Sequence, residues 1–86
     1  MLRFDHVNLA VRGSQLHAEE RFLTEILGME HIEPPEELVG RARWFRCEDG
    51  IEVHLSEDDS VVPSTRGHVA IVLGDELSSV AERLRA

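Results

Sequence analysis

The sequence has no lysine, no tyrosine and a single cysteine, Cys47, among its 86 residues. One cysteine cannot form an internal disulfide, so a disulfide-stabilised secreted domain is excluded and a reducing cytoplasm is the expected location. The longest apolar run, residues 69–73, is far shorter than the roughly 20 residues that cross a bilayer. The N-terminus also lacks the apolar core of a signal peptide. We therefore expect no membrane partner.

Positive charge is scarce as well. The chain carries 17 acidic residues and nine basic ones, and its net charge is −8. Nucleic-acid binding depends on clustered cations that neutralise phosphates, and an acidic chain repels a polyanion. The charge balance therefore predicts no nucleic-acid partner, although the arginines could still hold one small anion.

The length limits how much core the chain can build. A chain of 86 residues forms one domain, and its composition of 42% hydrophobic and 30% charged residues is typical of a folded globular protein. A domain of this size buries only about two-thirds of the surface of its unfolded chain, which leaves its stability marginal. We therefore expect a bound metal or a second copy of the chain, as a homodimer, to add stability.

Alternation and turn signals predict an α+β fold with a mixed or antiparallel sheet and helices on one face. Residues 4–11 alternate as a strand, and a helix follows from Ser14 to a stop at Gly28. A second helix is expected from Asp75. The remaining strands are expected over residues 29–33, 41–47, 51–56 and 68–73, with the middle two forming an antiparallel hairpin.

An internal repeat divides this domain into two units. HVNLAV at His6–Val11 and HVAIVL at His68–Leu73 both begin with histidine and valine, and each precedes a glycine and an amphipathic helix. We therefore expect the single domain, residues 1–86, to contain a complete βαβββ module over residues 1–56. The opening strand and helix of a second module are expected over residues 67–86.

The alternation also places histidines on one face of the sheet. His6, His54 and His68 project from the side opposite the helices, and Glu52 accompanies them. Three imidazoles on neighbouring strands can bind a divalent cation such as Zn, Fe, Mn, Co or Ni. The alternative is a solvated face whose histidines bind nothing. Periodicity defines faces but not distances, so both interpretations stay open at this point.

Four short motifs carry a resemblance to a known family. They are HVNLAV at residues 6–11, ILGM at 26–29, DGIEVHL at 49–55 and GHVA at 67–70. Together they resemble the vicinal oxygen chelate superfamily. That group includes glyoxalases, extradiol dioxygenases, methylmalonyl-CoA epimerases, fosfomycin-resistance thiol transferases and bleomycin-resistance proteins.

The resemblance implies paired βαβββ modules that curl around a metal-holding cavity. It implies His6 as the ligand of the first strand, His54 as the ligand of the fourth strand, and His68 as the first ligand of the second module. The glutamate ligand that family members usually carry near the end of the domain has no counterpart in this sequence. The resemblance thus implies a domain that is truncated within its second module.

Three functions are compatible with this interpretation. The first is a metal-dependent enzyme of the glyoxalase or dioxygenase type, a lyase, isomerase or oxidoreductase, whose cation is chelated by two neighbouring oxygens of a small substrate. Glu52 would act there as a general base or as a hydrogen-bond acceptor that supports a ligand. The second is a metal-free protein that binds a drug or metabolite, as bleomycin-resistance proteins do. The third is a truncated remnant without activity. The histidines favour the first.

Overall fold

The computed structural model describes residues 1–86 and contains four strands and two α-helices. Their order is β1 (His6–Val11), α1 (Gly13–Arg21), β2 (Glu30–Ile32), β3 (Ala42–Arg46), β4 (Glu52–Glu57) and α2 (Leu77–Arg85). A π-helical turn, Phe22–Ile26, continues α1, and single 3-10 turns occur at Glu36–Leu38 and Gly74–Glu76. The predicted α+β class and the βαβββ order of the first unit are confirmed. No helix has the length and apolarity needed to cross a membrane.

The four strands form one mixed sheet in the order β1-β4-β3-β2. β1 runs parallel to β4, whereas the other two pairings are antiparallel. The predicted hairpin between β3 and β4 closes where the Cys47 amide donates to the Ile51 carbonyl at 2.9 Å. Gly50 has a φ of +91° in this turn, a value that side chains with a Cβ rarely adopt. The turn fixes which residues of β3 and β4 face each other.

The core lies between the sheet and the helix formed by α1 and its π-helical turn. Five apolar side chains form it, and they come from both layers: Leu16, Leu23, Phe45, Val53 and Leu55. Phe45 is fully buried and Leu55 is 1% exposed. The apolar sides of β1 and β4 therefore face the helix, as the alternation predicts. The opposite side, which we call the open face, carries the side chains considered below.

The first helix ends where Gly28 takes a φ of +75°. The amide of Met29 donates to the Leu23 carbonyl at 2.9 Å, which satisfies one of the carbonyls left free at the helix end. The stop predicted at Gly28 is thus confirmed. The widened last turn, with its π-helical hydrogen bonding, was not visible in the spacing of apolar residues, because a single turn is too short to reveal a change of period.

The strand expected at residues 68–73 is not formed. No backbone amide in this segment donates a hydrogen bond, and Val69 and Ile71 are 47% and 48% exposed. A strand satisfies its backbone groups only by pairing with a neighbour, and no strand of the sheet pairs with this segment. The helix expected after it is present as α2, which buries Val80 and places the Arg83 Nε 2.7 Å from the Ile26 carbonyl.

Candidate functional site on the open face of the sheet

Three flat rings from three adjacent strands stack on the open face. Trp44 of β3 lies on His54 of β4 with ring centroids 3.9 Å apart and planes 1° apart. His54 lies in turn on His6 of β1, with centroids 4.2 Å apart and planes inclined by 16°. We call these three side chains the ring stack. It brings two of the three predicted histidines into direct contact.

The strand register explains this arrangement. Trp44 is the cross-strand partner of His54, so both side chains leave the sheet on the same side at the same level. His54 pairs with Asn8 on β1, and His6 lies two residues before Asn8 on the same face. His54 is therefore covered on both of its flat sides and is only 7% exposed. His6, at the edge of the stack, keeps 45% of its side chain exposed.

Each histidine of the ring stack is held by a carboxylate. His6 Nδ1 lies 2.8 Å from Asp5 Oδ2, and His54 Nε2 lies 2.8 Å from Glu52 Oε1. A carboxylate only accepts, so the ring nitrogen beside it carries the proton when the imidazole is neutral. The remaining nitrogens, Nε2 of His6 and Nδ1 of His54, then carry the lone pairs.

The predicted base, Glu52, is engaged through both of its oxygens. Its second oxygen, Oε2, accepts from Nη2 of Arg46 at 3.0 Å. The hydrogen bond from His54, together with that from Arg46, lowers the pKa of Glu52. A general base works best when its pKa lies near the working pH, so this environment opposes the proton-accepting role expected from the sequence. The geometry favours Glu52 as the group that orients His54.

The third predicted ligand, His68, lies apart from the other two. Its ring contacts neither histidine of the ring stack, and its Nδ1 lies 3.0 Å from the Arg66 carbonyl oxygen. His68 belongs to the segment that forms no strand, which is why the predicted convergence does not occur. No three histidine, cysteine, aspartate or glutamate side chains are arranged to hold a metal ion. The three-histidine site remains a prediction.

The donor set fits a metal at His6 better than at the histidine pair. A ring nitrogen binds a cation through a lone pair in the plane of the ring, at about 2.0–2.1 Å for zinc. The rings of His6 and His54 are stacked, and their planes are inclined by only 16°. Nearly parallel planes intersect only far from both rings, well beyond the length of a metal–nitrogen bond. One ion cannot lie in both planes. His6, with Nδ1 engaged by Asp5 and Nε2 free, has the form of a single metal ligand supported by a carboxylate.

Sequence reasoning did not assign three members of this site: Asp5, Trp44 and Arg46. A signal for two of them was present, because a hairpin closed between Cys47 and Ile51 pairs Trp44 with His54 and Arg46 with Glu52. Asp5 gave no such signal. It precedes the first residue of β1, and its side chain turns back to His6 without following the alternation of the strand.

Neither a protein-family profile nor a curated protein matches the sequence. Solved structures do match the fold. A glyoxalase family protein from Bacillus anthracis superposes with a TM-score of 0.74 and 28% identity, over 99% of this chain and 69% of that one. FosX, a fosfomycin resistance protein from Listeria monocytogenes, gives a TM-score of 0.71 with 23% identity, over 99% of this chain and 64% of that one.

Two further structures bear on the site and on the length. A FosX variant solved with Mn(II) and 1S,2S-dihydroxypropylphosphonic acid gives a TM-score of 0.72 with 22% identity, over 99% of this chain and 66% of that one. A glyoxalase/dioxygenase from Nostoc punctiforme gives 0.70 with 18% identity, over 96% and 68%. This chain thus spans about two thirds of the length of the structures that it matches. These likenesses confirm the resemblance found in the sequence, and the chain has the fold of the vicinal oxygen chelate superfamily.

Proposed function

We propose that this chain is part of a metal-dependent enzyme of the glyoxalase or dioxygenase type that acts on a small molecule. The observation that carries the proposal is His6, which presents a free Nε2 from β1 while Asp5 holds its Nδ1 at 2.8 Å. Its position is the one at which the resemblance places the first ligand. The FosX structure with Mn(II) supports a divalent ion on this fold.

A divalent ion bound at such a site would act as a Lewis acid on neighbouring substrate oxygens. The chain's own residues prepare His6 for the ion. Asp5 fixes the neutral tautomer and the rotation of the ring, and the hydrogen bond from His6 lowers the pKa of Asp5, which keeps the carboxylate charged. We propose His68 as a further ligand, supplied when residues 68–73 find a strand partner.

Metal binding tests this proposal directly. We expect protein stripped with a chelator to bind one Mn(II) or Zn(II), and His6→Ala to lose that binding, because it removes the only imidazole nitrogen that is both free and supported by Asp5. The control is His17→Ala, which removes an exposed histidine of α1. Titration calorimetry and elemental analysis give the affinity and stoichiometry. Equal metal binding by wild type and His6→Ala would contradict the proposal.

A metal-free binding protein is the second candidate. The observation that favours it is the lack of three assembled ligands, together with a ring stack that presents flat aromatic surface on the open face. The same titration separates the two functions. A protein that binds none of Mn, Fe, Co, Ni or Zn at micromolar concentration would favour this second candidate.

We also propose that two copies of the chain associate. β1 lies at one end of the sheet with an unpaired edge, and residues 68–73 are an alternating segment with free backbone amides. An open edge and an unpaired strand are each a template for pairing with another chain. Val69, Ile71 and Val72 are exposed by 47%, 48% and 95%, and their burial would favour association.

A matched pair of variants tests the association. Val72 in the unpaired segment and Val62 outside it are 95% and 84% exposed. We expect Val72→Asp to raise the dimer dissociation constant by about tenfold or more, because a charge would be placed in the interface, and Val62→Asp to leave it unchanged. Sedimentation equilibrium measures both. A wild-type chain that stays monomeric and unfolds cooperatively at micromolar concentration would rule the dimer out.

A further inference from the structure

We infer that His54 is a positioning residue, which holds the ring of His6 in place by stacking on it and does not bind the same ion. The inference rests on the proposed function, because it takes His6 as the metal ligand. It departs from the ligand set that the resemblance implies for the fourth strand. Three observations carry it: the ring planes, the burial of His54 and the hydrogen bonds that hold it.

The ring planes separate the two roles. His6 and His54 overlap face to face, with centroids 4.2 Å apart. Nε2 of His6 would hold an ion through a lone pair in its own ring plane, whereas the lone pair of His54 is directed along a separate, nearly parallel plane. His54 would have to turn out of the stack before it could offer a lone pair to that ion.

His54 is held against such a turn on every side. Trp44 covers its other face at 3.9 Å, and the side chain is 9% exposed. Its Nε2 donates to Glu52, and Glu52 is held by Arg46 in turn. Turning the ring would break the stack on both faces and leave Glu52 with one partner fewer. The native position is therefore the one that satisfies all of these contacts.

The stack restrains a ligand that is otherwise mobile. His6 is 45% exposed, and ordering a half-exposed side chain has an entropic cost. Asp5 fixes one edge of the His6 ring, while His54 fixes the tilt of its plane. The direction of the Nε2 lone pair is thus set before an ion arrives, and this lowers the cost of binding. His54 contributes to affinity through its flat surface and not through a nitrogen.

A comparison of two variants of His54, one that replaces its ring and one that removes it, tests this role. His54→Phe keeps a flat ring between Trp44 and His6 but has no nitrogen, whereas His54→Ala removes the ring. We expect His54→Phe to bind Mn(II) with a dissociation constant within about threefold of wild type, and His54→Ala to weaken binding by about 10- to 100-fold, as losses of supporting groups do. His17→Phe is the control for adding a phenyl ring. A His54→Phe variant that loses Mn(II) as completely as His6→Ala would show that His54 is a ligand and overturn the inference.

A second measurement needs no metal. Ring currents from His54 shift the ring protons of His6, so NMR of the metal-free protein should show those shifts in wild type, altered but present in His54→Phe, and absent in His54→Ala. Circular dichroism shows whether each variant is folded, and the comparison of wild type with His54→Phe holds even if His54→Ala does not fold. Unshifted His6 protons in folded wild type would overturn the stack. Failure of wild type to bind metal while the shifts are present would contradict the proposed function alone.

Discussion

Replacing Phe45 with alanine is expected to remove most of the protein's free energy of unfolding. Phe45, a residue of β3, is fully buried between the sheet and the first helix as a member of the core cluster. Truncating a buried phenylalanine costs about 3–5 kcal/mol, and small domains have a total free energy of unfolding of only about 5–15 kcal/mol. A chain of 86 residues falls at the low end of that range. The loss therefore removes most of the stability.

Phe22 supplies the matched control for this experiment. It is the same residue type, at the start of the π-helical turn that continues α1, but 39% of it is exposed. We expect Phe22→Ala to cost about 1 kcal/mol or less, in the range of partly exposed positions. Urea denaturation followed by circular dichroism measures both variants. Similar losses for the two would mean that the buried cluster around Phe45 does not dominate the stability.

Bound metal is expected to give the second large effect. A ligand that binds only the folded state at about 100 times its dissociation constant adds roughly 2.7 kcal/mol of stability. We expect Mn(II) to raise the thermal midpoint of wild type and of His17→Ala, and a chelator to reverse the rise. His6→Ala should show no rise, because it lacks the proposed metal ligand. An equal rise in His6→Ala would place the stabilising ion elsewhere.

The stability added by the metal is expected to depend on pH. Protons compete with the ion for the imidazole nitrogen, so the added stability should shrink as the pH falls below about 6. Asp5 does not limit this range, because the hydrogen bond from His6 lowers the pKa of its carboxyl. Thermal midpoints with and without Mn(II), measured between pH 5 and pH 8, give the dependence. A rise that is independent of pH would argue against an imidazole ligand.

Much of the fold follows from local patterns in the sequence. The alternation of Val7 with His6, and of Val53 with His54, assigns both faces of β1 and β4, and the structure buries the predicted side. Gly28 and Gly50 mark the end of a helix and a hairpin turn, and both have a positive φ. The strand predicted at residues 68–73 from the same kind of alternation was wrong. Alternation reports what a strand's faces prefer, but not whether a neighbouring strand is there to pair with.

The candidate site was predictable only in part. Alternation places His6, His54 and Glu52 on one face, and the structure confirms that placement. The stacking of the two rings depends on side-chain rotamers and on the close fit to Trp44, and no spacing in the sequence encodes a rotamer. The hydrogen bonds of Glu52 to His54 and Arg46 also depend on rotamers, so the sequence did not predict them. The pattern indicated which side chains share a face, whereas the contacts decide what they can do.

The parallel pairing of β1 with β4 has a consequence for the order of folding. β3 and β4 are joined by a short turn, and hairpins of this kind form within about 1–10 μs. β1 and β4 are instead separated in the sequence by α1, β2 and β3. Pairings between such distant segments form more slowly. Trp44 and His54 therefore meet early, while His6 joins them only when β1 docks. The ring that the proposed activity needs as a ligand would be the last to arrive, so a chain in which only the hairpin has formed would lack the proposed metal ligand.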